Sequence, residues 1–96
     1  DTDPAYRGAS SLDLLRRCVA AIAAKSYQAV NIDATLILEK PKILPYKQEM
    51  RSRIAEAAGL DIDAVSLKAT TAERLGFVGR GDGVEAHAVV LILRKE

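Results

Sequence analysis

The sequence predicts an α+β or α/β domain, a mixed β-sheet with helices packed on one face. Three observations carry that expectation. Apolar residues recur at helical spacing in two stretches; the run AVNIDATLILE alternates apolar with polar residues; and two more strand-like runs follow the second helix, with a glycine-rich interval between them. The order helix, strand, helix, strand, loop, strand is that of helices laid on a sheet. Residues 1–96 read as one domain, with no repeat, low-complexity tract or linker to divide them.

Taken in order, DTDPAYRG opens on the turn residues Asp1, Asp3, Pro4 and Gly8 and carries no methionine, so the text is expected to begin inside a loop with a segment upstream. SSLDLLRRCVAAIAAK then sets Leu12, Leu15, Val19 and Ile22 on one helical face. Ser10 with Asp13 resembles a capping box, and the helix should end near Lys25 or Ser26. Cys18 lies among these apolar residues and reads as a buried, inert thiol. In AVNIDATLILE, Val30, Ile32, Ala34, Leu36 and Leu38 point one way and Asn31, Asp33 and Thr35 the other, as in a half-buried strand. Pro45 suits the first position of the second helix, which turns Met50, Ile54 and Ala57 inward and stops at Gly59. A short strand is expected over Val65–Ala69 and a last one over Val84–Arg94. The last is apolar on both faces from Val89 to Leu93, which implies burial on both sides, one of them by another subunit.

Composition narrows the function classes. The chain is 49% hydrophobic and 28% charged, with a formal net charge of +1. Such a balance gives no global field to draw nucleic acid or anionic lipid, so any phosphate recognition is local. A single cysteine precludes an internal disulfide and suits a reducing compartment such as the cytoplasm. No apolar run reaches membrane-spanning length.

Chemistry concentrates in two loops. KATTAERLGFVGRGDG holds Thr70 and Thr71, Glu73, and four glycines about Arg80. Thr70 to Glu73 fits a capping box; the same hydroxyls and free N–H groups also suit phosphate, and Glu73 suits a divalent cation that bridges phosphate oxygens. Arg80 is a candidate anion contact, while Lys68 reads as a solvated edge residue. In KPKILP, Lys42 could neutralise phosphate or simply be solvated. Both loops follow strands, at ends that would be adjacent in a parallel pair, where open sheets favour ligands.

Three segments, DTDPAYRGASS, EKPKILPY and VSLKATTAERLGFVGRGDGVEAHAVVLI, strongly resemble the 2-C-methyl-D-erythritol 2,4-cyclodiphosphate synthase family. The pattern KATT-x-E-x-LGF-x-GRG-x-G is the most specific part. The resemblance implies a homotrimer of α+β subunits with active sites between chains, in the bacterial cytoplasm. The family belongs to the non-mevalonate isoprenoid pathway. It converts 4-diphosphocytidyl-2-C-methyl-D-erythritol 2-phosphate to the cyclic diphosphate and CMP, with zinc and magnesium or manganese as metals. By resemblance, Leu38, Glu39, Lys40, Pro41, Lys42, Ile43 and Leu44 form the cytidine loop. Thr70, Thr71 and Ala72 contact the phosphates, Lys42 assists, and Glu73 holds the second, diphosphate-bridging metal. Lys42, Thr71 and Glu73 are thus the implied catalytic set. Asp1 and Asp3 fall on the methylerythritol side, and Phe77 and Arg80 near the trimer axis.

The pattern also departs from the family. The Asp-x-His pair and the further histidine that hold zinc there have no counterpart in these residues. His87 lies on the last strand, where it reads as a sheet-face residue and cannot supply three convergent ligands. These residues are therefore expected not to complete the reaction alone, and a non-catalytic trimeric nucleotide- or diphosphate-binding module is the alternative. A nucleic-acid module is disfavoured: Gly76–Gly79 spells GxxG, but the loop precedes a turn and a strand, charge is near zero, and no strand carries an aromatic pair. Arg80-Gly81-Asp82 is a chance match to an adhesion signal.

Overall fold

The computed structural model describes residues 4–40 and 42–96, with side chains described from residue 11 onward. Helix α1 spans Pro4–Ala24, β1 Tyr27–Ile37, α2 Lys47–Ala58, β2 Val65–Thr70, the single-turn α3 Gly76–Gly79, and β3 Glu85–Arg94. The described residues form a three-stranded mixed sheet in the order β2-β1-β3. β1 and β2 are parallel, with Ile32 opposite Val65 and Ile37 opposite Thr70. β1 and β3 are antiparallel, from Tyr27 opposite Arg94 to Ile37 opposite Glu85. Between Ala29 and Asn31 the register shifts at a bulge, which moves Val30 out of the expected alternation.

Two expectations about α1 are corrected. The described part of the helix runs from Pro4, so Pro4 and Gly8 are helical rather than loop residues, and Ser10 lies inside the helix instead of capping it. Cys18 is exposed, not buried. At 100° per residue it points roughly 80° from the centre of the Leu12–Leu15–Val19–Ile22 stripe, and those four residues are themselves only half-buried. The helix ends in a turn closed by Lys25 N–H to Ile22 O at 3.0 Å and Ser26 N–H to Ala23 O at 2.9 Å.

The second helix stops as its sequence requires. Gly59 adopts φ 71°, the left-handed region open to glycine. Leu60 N–H reaches Ala55 O at 2.8 Å and Gly59 N–H reaches Glu56 O at 3.2 Å, which satisfies carbonyls the helix would leave unpaired. Pro45, however, sits in a 3-10 turn, Leu44–Tyr46, that leads into α2. Ala55, Ala57 and Ala58 are buried, and their small side chains let the helix approach the sheet closely. They meet a core built from Ile32, Leu38, Val65, Leu67 and Val78. Arg51 ties α2 to the start of β2: Nε donates to Val65 O at 2.8 Å and a terminal nitrogen to Ile62 O at 3.0 Å.

The last strand departs from expectation. Val89, Val90, Leu91, Ile92 and Leu93 are all exposed within the chain, Val89 at 73% and Ile92 at 41%. Among the described residues no helix buries either face of β3 from Val89 to Leu93, so the expected double burial is not met by them. Lys68, on the edge strand β2, is exposed as expected and lies 3.5 Å from Asp33 on β1.

Candidate functional site

The parallel pairing of β1 with β2 brings the segments that follow them side by side, and Leu38 N–H donates to Thr70 O at 3.0 Å where they meet. Beyond that point a cavity of about 310 Å³ opens. Leu38, Glu39, Lys42, Ile43 and Leu44 line one wall; Ala69, Thr70 and Thr71 line the other. Leu38 is buried and Ile43 half-buried, which gives an apolar floor, while Lys42 is exposed at the rim. The residues after β1 and β2 thus converge, at strand ends of the kind where ligands bind in open sheets.

Lys47, at the first position of α2, also lines this cavity and was not foreseen. A signal existed. Lysine in a helix's first turn opposes the macrodipole, so its presence there wants another reason.

The capping box expected from Thr70 to Glu73 does not form. Thr70 ends β2, and Glu73 and Arg74 take φ of 54° and 63°, so no helix starts at Thr70. The turn is held from outside. Glu39 Oε1 accepts the N–H of Ala72 and the N–H of Arg74, both at 3.1 Å, while Thr71 Oγ1 accepts the N–H of Glu73 at 3.3 Å. A side-chain oxygen from the other loop thus takes the place of the expected hydroxyl cap and accepts two converging N–H groups. The turn then runs into α3, which the sequence placed within a loop. A Cβ at Gly79 would collide with the backbone of Arg74, so only glycine permits α3 to fold back on the turn.

The remaining candidates disperse. Lys40 is exposed and does not line the cavity. Phe77 lies on α3 beside Gly83, and Arg80 pairs with Asp82 at 3.1 Å; neither lines the cavity. His87 is exposed on β3, 3.2 Å from Glu85. Asp1, Asp3 and Pro41 lie outside the described residues.

Metal fit differs between the two implied ions. Among the described residues no three His, Cys, Asp or Glu side chains gather to hold a metal, so these residues do not fit zinc. Glu73 is exposed on the turn after β2 and does not line the cavity; a single exposed carboxylate is the kind of ligand that magnesium or manganese takes together with phosphate oxygens and water. No helix among the described residues is long and apolar enough to cross a membrane.

An α+β chain with a half-apolar, lysine-rimmed cleft at the ends of a parallel strand pair falls in the class of open-sheet folds that form a small-molecule cleft at their strand ends. Comparison with known proteins narrows this. The YgbB family model matches residues 1–93, and the chain belongs to the YgbB family. It is 48% identical over 93 residues to the 2-C-methyl-D-erythritol 2,4-cyclodiphosphate synthase of Trichlorobacter lovleyi, with 97% of this chain and 59% of the relative covered. It is similar to the crystal structure of 2C-methyl-D-erythritol 2,4-cyclodiphosphate synthase from Plasmodium vivax, with TM-score 0.85 and 37% identity over 90% of this chain and 57% of that one. A Plasmodium falciparum IspF structure described as a CDP complex matches with TM-score 0.84 and 29% identity over 90% and 55% of the two chains. The chain therefore spans somewhat over half the length of these relatives.

Proposed function

We propose that this chain carries the nucleotide and diphosphate half of a 2-C-methyl-D-erythritol 2,4-cyclodiphosphate synthase, a phosphorus–oxygen lyase of isoprenoid biosynthesis working in the cytoplasm. The observation that carries the reading is the cavity between the β1 and β2 loops, which gathers Lys42, Thr70 and Thr71 over an apolar floor. A pyrimidine nucleotide matches that division, with the base against Leu38 and Ile43 and the phosphates toward the threonines and Lys42.

In the proposed reaction the 2-phosphate oxygen of 4-diphosphocytidyl-2-C-methyl-D-erythritol 2-phosphate attacks the β-phosphorus. The bond from that phosphorus to the CMP oxygen breaks, and the ring closes as the cyclic diphosphate. The residues need supply no nucleophile. Lys42 offsets charge on the departing CMP, and the Thr70 and Thr71 groups orient the phosphoryl oxygens for in-line attack. Glu73 would hold magnesium or manganese, which supplies charge neutralisation across the diphosphate. The zinc-holding residues of the reaction would come from outside the residues described.

Assembly as a homotrimer belongs to the same proposal. The five exposed large apolar residues of β3 support it, since a monomer that left them in water would present an aggregation-prone strip.

CMP titration by calorimetry tests the reading. Saturable binding is expected, with Lys42→Ala raising Kd about tenfold or more for one lost charge-assisted contact. Equal affinity in Lys42→Ala would remove Lys42 from the site, and absence of CMP binding by the parent protein would overturn the proposal.

A further inference from the structure

The two walls of the cavity are joined by one side chain. Glu39 leaves the end of β1, crosses to the other loop, and receives two backbone N–H groups on a single oxygen, from Ala72 and Arg74. The residue between those donors is Glu73. It stands in the left-handed region at φ 54°, followed by Arg74 at 63°. Two successive non-glycine residues in that region are unfavourable by themselves, since Cβ crowds the following carbonyl, and they persist where surrounding contacts over-determine them. Among the described residues, the contacts that reach this turn from across the cavity are those to Glu39. Thr71 Oγ1 adds a local bond to the Glu73 N–H at 3.3 Å, but it lies within the turn and cannot fix the turn against the other wall.

We infer that Glu39 is a positioning residue: by tying the N–H groups of Ala72 and Arg74 to the β1 loop, it fixes the turn that carries Glu73 against the far wall of the cavity and links cation binding at Glu73 to nucleotide binding beside Lys42. This rests on the nucleotide reading above, and it reassigns Glu39 from direct ligand contact to support of the turn. The chemical requirement is an acceptor oxygen at that reach; the negative charge is secondary. Glutamine keeps the acceptor, aspartate keeps the charge but falls one methylene short, and alanine removes both.

The test compares the full chain with Glu39→Gln, Glu39→Asp and Glu39→Ala, using CDP with and without Mn²⁺ as probes. Affinity for CDP is read by calorimetry and protection of the Ala72 and Arg74 amides by hydrogen exchange. The parent is expected to bind CDP more tightly when Mn²⁺ is present. In Glu39→Ala and Glu39→Asp that metal-dependent gain should fall about tenfold, a larger loss than any the same variants show in metal-free CDP affinity. Both amides should lose protection while β2 amides keep theirs. Glu39→Gln should retain the gain within about threefold and keep both amides protected.

Equal loss of metal-free and metal-dependent binding would show a general structural role and overturn the inference. So would an unchanged gain in Glu39→Ala, or a Glu39→Gln variant as impaired as Glu39→Asp. Should Glu39→Ala fail to fold, the glutamine–aspartate pair decides alone. A parent protein that binds no CDP overturns the nucleotide reading itself, whereas a parent that binds CDP and gains nothing from Mn²⁺ overturns only the role given to Glu39.

Discussion

β2 and β3 flank the same central strand, yet they live in different environments. On the β2 side, Val65 is fully buried and Leu67 only 3% exposed, under the alanine face of α2. On the β3 side, five consecutive large apolar residues stay in solvent. Cross-strand neighbours share a face, so the register Ile32↔Val90 puts Val90 on the helix-bearing face, while Asn31↔Leu91 puts Leu91 on the other. The difference teaches that the helices of this chain cover half of its sheet, and that β3 has a composition suited to being covered by something else.

Breaking the uncovered half should have the largest effect. Leu91→Asp with Leu93→Asp places two charges on the face away from the helices; we expect the proposed trimer to be lost outright in sedimentation velocity, with helix and strand content retained by circular dichroism. A trimer that survives both charges would mean that β3 is not its interface. Next comes the covered half. Leu67→Ala should cost about 2–5 kcal/mol in urea denaturation, because it opens a cavity beneath α2. That loss should not vary with protein concentration, which would separate a core position from an assembly position. The smallest effect sharpens the contrast one residue away. Lys68→Met removes a solvent-exposed pair with Asp33 and should shift stability by no more than about 1 kcal/mol, with the remaining difference shrinking in high salt.

Much of the fold was legible because local rules decided it. The alternation in AVNIDATLILE marked a strand, Gly59 marked the end of α2, and the Lys42 loop and the paired threonines were placed at neighbouring strand ends, where they line one cavity. What escaped was decided at a distance. The Thr70–Glu73 pattern read as a capping box because its residue types allow one, but a carboxylate more than 30 positions earlier takes the N–H groups. Cys18 read as buried because its neighbours are apolar, whereas its angle on the helix turns it outward. β3 read as covered on both sides because apolarity reports what a strand requires, and not which chain supplies it. Lys47 drew no notice because a lysine near a helix start resembles any solvated residue until the cavity is seen beside it.

The pairing of Tyr27 with Arg94 and of Ile37 with Glu85 also fixes an order of events at the ribosome. β1, α2 and β2 leave the exit tunnel in sequence and can begin docking as they emerge. β3 follows β1 by roughly 50 residues, which at 5–20 residues per second is a delay of roughly 2–10 s. Throughout that interval one side of β1 offers its backbone N–H and C=O groups to any extended chain nearby, including the nascent chain of the next ribosome on the same message. When β3 arrives it closes that side and exposes its own apolar strip in the same moment.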